Sequence, residues 1–324
     1  MNIFGKVEQS AFPKNNNREN VMRSKKKNRR IGDIIRIIVL LIALSVLLYP
    51  TVSNYLYEKN SSTIVSNYEK DVSNTSDEEK TEMFRLAREY NARLAGNQGM
   101  IGDGFSEEED VDEEYESLLN PYDTGMMGYI QIPKIDVELP VYHGTKESVL
   151  QVGVGHLKNT SLPIGGDATH VVLTGHRGLP SRMLFTDLDQ MKNGDIFYVK
   201  ILGENFAYEV DQIKTVLPEE TEGLQIVDGQ DYITLITCTP YGINTHRLLV
   251  RGHRIPYEEA IQIEPDEIDK GVKIPFEVKV LLIGLGILAV ILVIFVIVNK
   301  VRNRSKKNEE RRRKRRNKSR NKRR

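Results

Sequence analysis

Two stretches of the chain are apolar almost throughout, and between them apolar positions recur first at helical and then at strand spacing. Residues 34–49 (IIRIIVLLIALSVLLY) carry one charge, Arg36, and residues 280–298 run nineteen positions without any. At 1.5 Å per residue the second run spans about 28 Å, close to the ~30 Å hydrocarbon core of a bilayer. The pattern predicts transmembrane helices at 31–52 and 278–299. A basic stretch ahead of an apolar one is also how a cleaved signal peptide begins. Pro50-Thr51-Val52-Ser53 offers no small-x-small site directly behind the run, which favours a retained signal anchor.

The region between the runs divides by period. Residues 53–75 are rich in Asn, Ser and Tyr and read as a short stalk. Ser76-Asp77-Glu78-Glu79 is a capping box, and Met83, Ala87, Tyr90 and Leu94 follow at helical spacing up to Gly96. This helix opens a helix and lid region, 76–126, whose acidic run at 107–114 reads as a solvated face. From 127 to 256 short stretches alternate with period two: 128–132, 136–142, 170–175, 195–202, 206–217, 231–238 and 246–255. Seven such strands separated by turn residues predict a mainly β domain, a closed antiparallel barrel with short helices. Residues 257–277 read as a polar linker into the second span.

Charge gives the apolar runs an orientation. The 324 residues hold 46 Lys+Arg against 45 Asp+Glu, a formal net charge of +1. Residues 1–30 carry nine basic side chains against two acidic ones, and 300–324 carry sixteen against two. With the tails and the Asp33/Arg36 pair set aside, 53–279 keeps 20 basic and 40 acidic residues. Cationic tails beside apolar spans place both termini in the cytoplasm and the acidic middle outside, with anionic membrane lipids rather than nucleic acid as the contact. A 40% hydrophobic content excludes wholesale disorder. One cysteine excludes an intrachain disulfide and any Cys-cluster metal site.

That cysteine, Cys238, lies in the exported part, where an unpaired thiol needs a use. A free thiol, with a pKa of about 8.5, is only a few per cent thiolate at neutral pH and needs a cation or imidazole beside it. Cys238 ends a strand, and Arg247 starts the next one nine residues later, so a hairpin brings the two together. His176 closes another strand 62 residues upstream and is the candidate imidazole. His143, His156 and His170 sit near strand ends or turns and read as structural. His246 points to the opposite face from Arg247, and His253 has no evident partner.

The motifs around these residues are specific. TLITC (234–238) with TPYGINTHRLLVRG after it, LTGHRGLP (173–180) and GYIQIPKI (128–135) resemble the sortase family, over about 127–254. The N-terminal extension and second span resemble its class C, the pilin-polymerising sortases. The resemblance implies a sortase-type β-barrel with an N-terminal lid. It makes Cys238 the nucleophile on the Thr–Gly bond of an LPxTG-like sorting signal, and His176 the acid and then the base. Arg247 becomes the group holding the oxyanion or the substrate carbonyl, with Arg251 as runner-up. It implies pilin partners that bear such signals and supply an acceptor Lys, with no cofactor and no metal. Class C lids carry an Asp and an aromatic residue spaced by one. Asp103 and Phe105 match, with Gly104 where Pro is common, so Asp103 is expected to pair with Arg247 and Phe105 to cover Cys238. Asn120-Pro121-Tyr122-Asp123 is a rival anchor or an ordinary turn. Thr237 either contacts substrate or packs.

Three other readings remain at this level. A sortase that attaches proteins to the cell wall would use the same thiol with a different acceptor amine. An extracellular cysteine protease would use water as acceptor, although a papain-like site places Cys before His, the reverse of the order here. A non-catalytic membrane scaffold would use the β-domain to bind surface proteins.

Overall fold

The computed structural model describes residues 16–96, 99–105, 112–179 and 182–263, with scattered positions between 283 and 319. Most of the second apolar run, the linker beyond 263 and residues 106–111 of the expected helix and lid region lie outside the described residues. The chain separates into two units, Met1–Tyr49 with Leu281–Arg324, and Pro50–Val280.

Helix α1 spans Asn16–Asn74, well beyond the predicted 31–52. Its apolar part exposes Ile35, Ile38, Val39, Ile42 and Val46. The helix from Ile35 on is, among the described residues, the one long and apolar enough to cross a membrane.

The expectation of a stalk at 53–75 is corrected in the second unit, where this stretch is helical and joins the core. Val65, Tyr68 and Val72 recur at 3–4-residue spacing and are buried. Tyr68 Oη donates to Met127 O at 2.8 Å and accepts from Leu202 N at 2.9 Å, tying α1 to the barrel. Asn54 and Ser61 are buried on this side too, Ser61 Oγ donating to Glu138 O at 3.2 Å and Asn54 Oδ1 accepting from Met183 N at 2.9 Å, and their polarity hides the stripe.

Helix α2 (Asp77–Gly96) starts at the predicted capping box, with Ser76 N and Oγ donating to Glu79 Oε2 and Glu79 N donating to Ser76 Oγ. Ala87 is buried as expected, together with Phe84 and Asn91. The Asn91 amide bridges the backbone N and O of Leu162, the hydrogen bonding a buried amide requires. Helix α3 (Glu113–Ser117) carries Tyr115 inward from the acidic run; its hydroxyl meets His156 Nδ1 at 2.8 Å.

Eight strands close the barrel: β1 (Met126–Ile132), β2 (Val137–His143), β3 (Val154–His156), β4 (Thr169–Thr174), β5 (Ile196–Ile201), β6 (Glu204–Val216), β7 (Asp231–Thr239) and β8 (His246–Ile255). Their order around the wall is β1-β2-β3-β4-β7-β8-β6-β5. The predicted closed barrel is thus present, with two corrections. Strand β3 is added; at three residues it is too short to show a period. The barrel is also mixed rather than wholly antiparallel, because β2 pairs with β3 and β4 with β7 in parallel. Strand β4 is buried at every position, as a parallel strand covered on both faces must be. Helix α4 (Glu147–Leu150) links β2 to β3, and α5 (Tyr257–Ile263) follows β8, so the predicted linker begins as a helix with Ala260 buried.

Alternation along β7 separates two apolar layers. Ile233 and Leu235 belong to the main core, with Val171 and Leu173 of β4 and Val250 of β8. Ile236 points the other way, into a smaller cluster with Val172, Leu249, Leu157, Leu224 and Ile101, against which Phe105 packs. Cys238 lies two residues beyond Ile236 and so on the face of this outer cluster.

Candidate active site

The β7–β8 hairpin sets the first pair. Cys238 stands directly opposite Arg247 in the antiparallel register, the consequence of a tight connection between the two strands. On the other side of β7, Thr174 of β4 is level with Ile236, so two further residues bring the chain from β4 to His176 at the level of Cys238. Imidazole, thiol and guanidinium therefore follow one another across three neighbouring strands. Gly175 N donates to Ile236 O at 3.0 Å, and Thr237 Oγ1 donates to Gly175 O at 2.7 Å. Thr237 is fully buried, so its hydroxyl joins the His-bearing strand to the Cys-bearing one and is not left for substrate.

Segment 101–105 lies over this row. Asp103 Oδ2 accepts from Arg247 Nη2 at 2.7 Å, and its other oxygen accepts from Phe105 N at 3.0 Å, a turn closed by the side chain. The Phe105 ring lies 4.8 Å from the Arg247 guanidinium carbon and 5.7 Å from the His176 ring. Its described ring contacts are thus His176 and Arg247. Gly104 has φ +79, a conformation closed to Pro, and a Cβ there would stand 2.4 Å from Thr174 Oγ1. The glycine found in place of proline is what lets the segment lie down on β4.

Cys238 is 7% exposed. Burial pushes its thiol above the ordinary value, Arg247 pulls it down and Asp103 pushes it up again. With the segment in place Cys238 is held as a thiol, and the cation that would favour the thiolate is engaged by a carboxylate.

Arg251, the alternative to Arg247, is held elsewhere. Its Nε and Nη2 donate to the two oxygens of Asp211, each at 2.9 Å, and its guanidinium carbon lies 4.1 Å from the Tyr232 ring centre. Asn120 forms a turn into β1, with Oδ1 accepting from Gly125 N at 3.0 Å. Among the other histidines, His156 is fully buried between Tyr115 and Ser161 O, and burial pushes its pKa down to about 3. His170 bonds Gln225 O and Thr234 Oγ1, and burial takes it to about 4. His143 meets Gly125 O and Leu118 O, with burial again the main depressing cause. All three are core hydrogen-bonding groups. Among the described residues, no group of three or more His, Cys, Asp and Glu is placed to hold a metal.

Two residues that spacing did not single out belong to this neighbourhood. Glu147 Oε2 accepts from His176 Nε2 at 3.0 Å. Arg177, its side chain 8% exposed, donates to Thr239 Oγ1 at 3.2 Å and Thr186 O at 3.0 Å and pairs with Asp189. It thereby joins the residue after His176 to the residue after Cys238. Arg177 adjoins the histidine motif, whereas nothing local marks Glu147, 29 residues away on a four-residue helix.

A family model described as a sortase domain matches residues 130–255. Sortase D of Bacillus subtilis is 30% identical over 131 residues, 40% of this chain and 63% of that protein, so the chain spans just under two thirds of this curated relative. Among solved structures, Streptococcus pneumoniae sortase C is 48% identical with a TM-score of 0.57, over 60% of this chain and 97% of that one. Streptococcus agalactiae sortase C1 is 44% identical with a TM-score of 0.57, over 63% of this chain and all of the other. With that identity along nearly the whole of solved class C structures, and a barrel in which the strand of Cys238 lies between β4, which leads to His176, and β8, which carries Arg247, the chain belongs to the sortase family, in its class C.

Proposed function

We propose that the chain is a membrane-anchored cysteine transpeptidase that cleaves LPxTG-like sorting signals and joins pilin subunits. The observation that carries this reading is the register: Arg247 directly opposite Cys238, with the chain reaching His176 at the same level on the parallel neighbour. The pneumococcal sortase C, to which the chain is similar, has pilin substrates.

In this reading Cys238 gives its proton to His176, and the thiolate sulfur attacks the Thr carbonyl carbon of the signal. Arg247 stabilises the oxyanion, a role suited to a permanently charged fork of donors. The C–N bond to Gly breaks, the imidazolium proton passes to the leaving amine, and a thioester remains on Cys238. A Lys amine of a second pilin subunit attacks the thioester and loses a proton to His176. An isopeptide bond forms and the thiolate is released. Asp103 must release Arg247 first, so the segment at 101–105 acts as a lid. Two spans, with both termini cytoplasmic and the barrel outside, put the site where exported pilin passes.

The test is intact-mass spectrometry of the full-length chain in detergent with a peptide containing Leu-Pro-x-Thr-Gly and a Lys-bearing acceptor. An acyl adduct on Cys238 that passes to the Lys supports the reading, and Cys238→Ala is expected to abolish both. Release of the peptide acid alone would make water the acceptor, and no adduct at all would favour a binding scaffold.

A further inference from the structure

The imidazole of His176 has two neighbours of different permanence. One is the Phe105 ring at 5.7 Å, on the segment that must leave before substrate enters. The other is Glu147, on α4 between β2 and β3, whose Oε2 accepts from Nε2 at 3.0 Å. Gln151 donates its amide to the second carboxylate oxygen, and Arg182 donates to Gln151 Oε1 at 2.9 Å. The carboxylate is therefore held in place by its own neighbours. When Phe105 withdraws, Glu147 is what still holds the ring.

We propose that Glu147 is a positioning residue for His176, accepting Nε2–H so that Nδ1 is the atom that exchanges protons with Cys238 and the substrate amines. An imidazole donating through one nitrogen accepts only through the other, so this hydrogen bond sets the tautomer. Once the ring is protonated, the same carboxylate is its counter-charge. The inference rests on reading His176 as the proton-transfer group and adds the third member that orients it.

The charged and titratable groups around the ring are few. Glu147 faces it from α4. Asp103 and Arg247 reach it through the Phe105 turn, as a mutually neutralising pair. Cys238 is level with it on β7, and Arg177, the next residue, is paired with Asp189. Removing Glu147 therefore removes the one unneutralised negative charge described beside the ring.

The variants Glu147→Ala, Glu147→Gln and Glu147→Asp are to be compared in the full-length chain. In peptide cleavage, Glu147→Ala is expected to lower kcat about tenfold with KM within twofold. Glu147→Gln keeps an acceptor but no charge; it is expected to move the acidic limb of the pH profile, where the imidazole gains its proton, to lower pH, and Glu147→Asp to restore that limb. A second readout needs no substrate: iodoacetamide alkylation of Cys238 against pH, with Asp103→Ala and Phe105→Ala present so that access is not limiting. There Glu147→Ala is expected to slow alkylation several-fold at pH 7. Should the unsubstituted chain not turn over peptide while the alkylation profile still shifts, the proposed function falls and the positioning role stands. Superimposable profiles with kcat within twofold would overturn the positioning role. Loss of folding is excluded by an unchanged melting temperature, as expected for a side chain 57% exposed.

Discussion

Arg247 and Arg251 lie four residues apart on one face of β8, and each has a carboxylate and an aromatic ring for partners. The partners of Arg251 are Asp211 of β6 and Tyr232 of β7, both built into the barrel wall. Those of Arg247 are Asp103 and Phe105, on a segment outside the barrel that is turned by a glycine. Arg254 at the far end resembles Arg251, lying on the rings of Phe206 and Tyr208 of β6. The same chemistry is thus made within the sheet for Arg251 and with a segment outside it for Arg247. What marks Arg247 out is who holds it, since guanidinium, carboxylate and ring recur along the strand.

The comparison breaks most sharply on substitution of the arginines. Arg247→Gln is expected to lower kcat/KM by about 10² or more while the melting temperature stays near that of the unsubstituted protein, because an oxyanion donor is lost. Arg251→Gln is expected to do the reverse, leaving kcat/KM within a few-fold and lowering stability by about 1–3 kcal/mol in a urea titration. Equal losses of activity in the two variants would erase the distinction.

Carboxylate substitutions are expected to act more weakly but in the same sense. Asp103→Ala with Phe105→Ala should speed alkylation of Cys238 about tenfold by releasing the cover, whereas Asp211→Ala should leave that rate unchanged and cost stability. An unchanged rate in the first variant would mean that segment 101–105 does not guard the thiol. A smaller effect of the same kind is expected from Gly104→Ala, whose Cβ has no room beside Thr174 Oγ1. At a strain of about 1–2 kcal/mol the cover is loosened and alkylation speeds several-fold.

The smallest effect is a shift with pH. Burial raises the Cys238 thiol above its ordinary value, so the covered form is favoured while the thiol stays protonated and loses that advantage as pH rises through the raised value. The alkylation profile of the intact chain should accordingly rise at higher pH than that of Asp103→Ala/Phe105→Ala, which lacks both the burial and the carboxylate. Coincident midpoints would remove burial as the cause.

Much of this was legible in the sequence, for identifiable reasons. The nine-residue interval between Cys238 and Arg247 suits a hairpin, and the structure pairs them across it. The Ser76 capping box placed the start of α2 because both halves of the motif are local. Glu147 escaped because its tie to His176 is made wholly through tertiary structure. The burial of Val65, Tyr68 and Val72 escaped because Asn and Ser dominate the composition around them. The parallel pairing of β4 with β7 escaped because a strand's own period does not say which way its neighbour runs. Gly104 stands where Pro is common, and the reason is tertiary: its positive φ and the closeness of Thr174 show that the backbone there needs a glycine.

The parallel pairing also bears on when the site comes into being. Gly175 and Thr237, whose hydrogen bond joins the strands of His176 and Cys238, are 62 residues apart, and between them the chain must build β5 and β6. Closing so long a loop is entropically unfavourable until the intervening strands have paired, so contacts of this separation form late in folding. A half-folded chain therefore carries a thiol with no imidazole beside it. Cys238 and His176 meet only once the barrel has closed, so the order of folding itself withholds the pair from an immature chain.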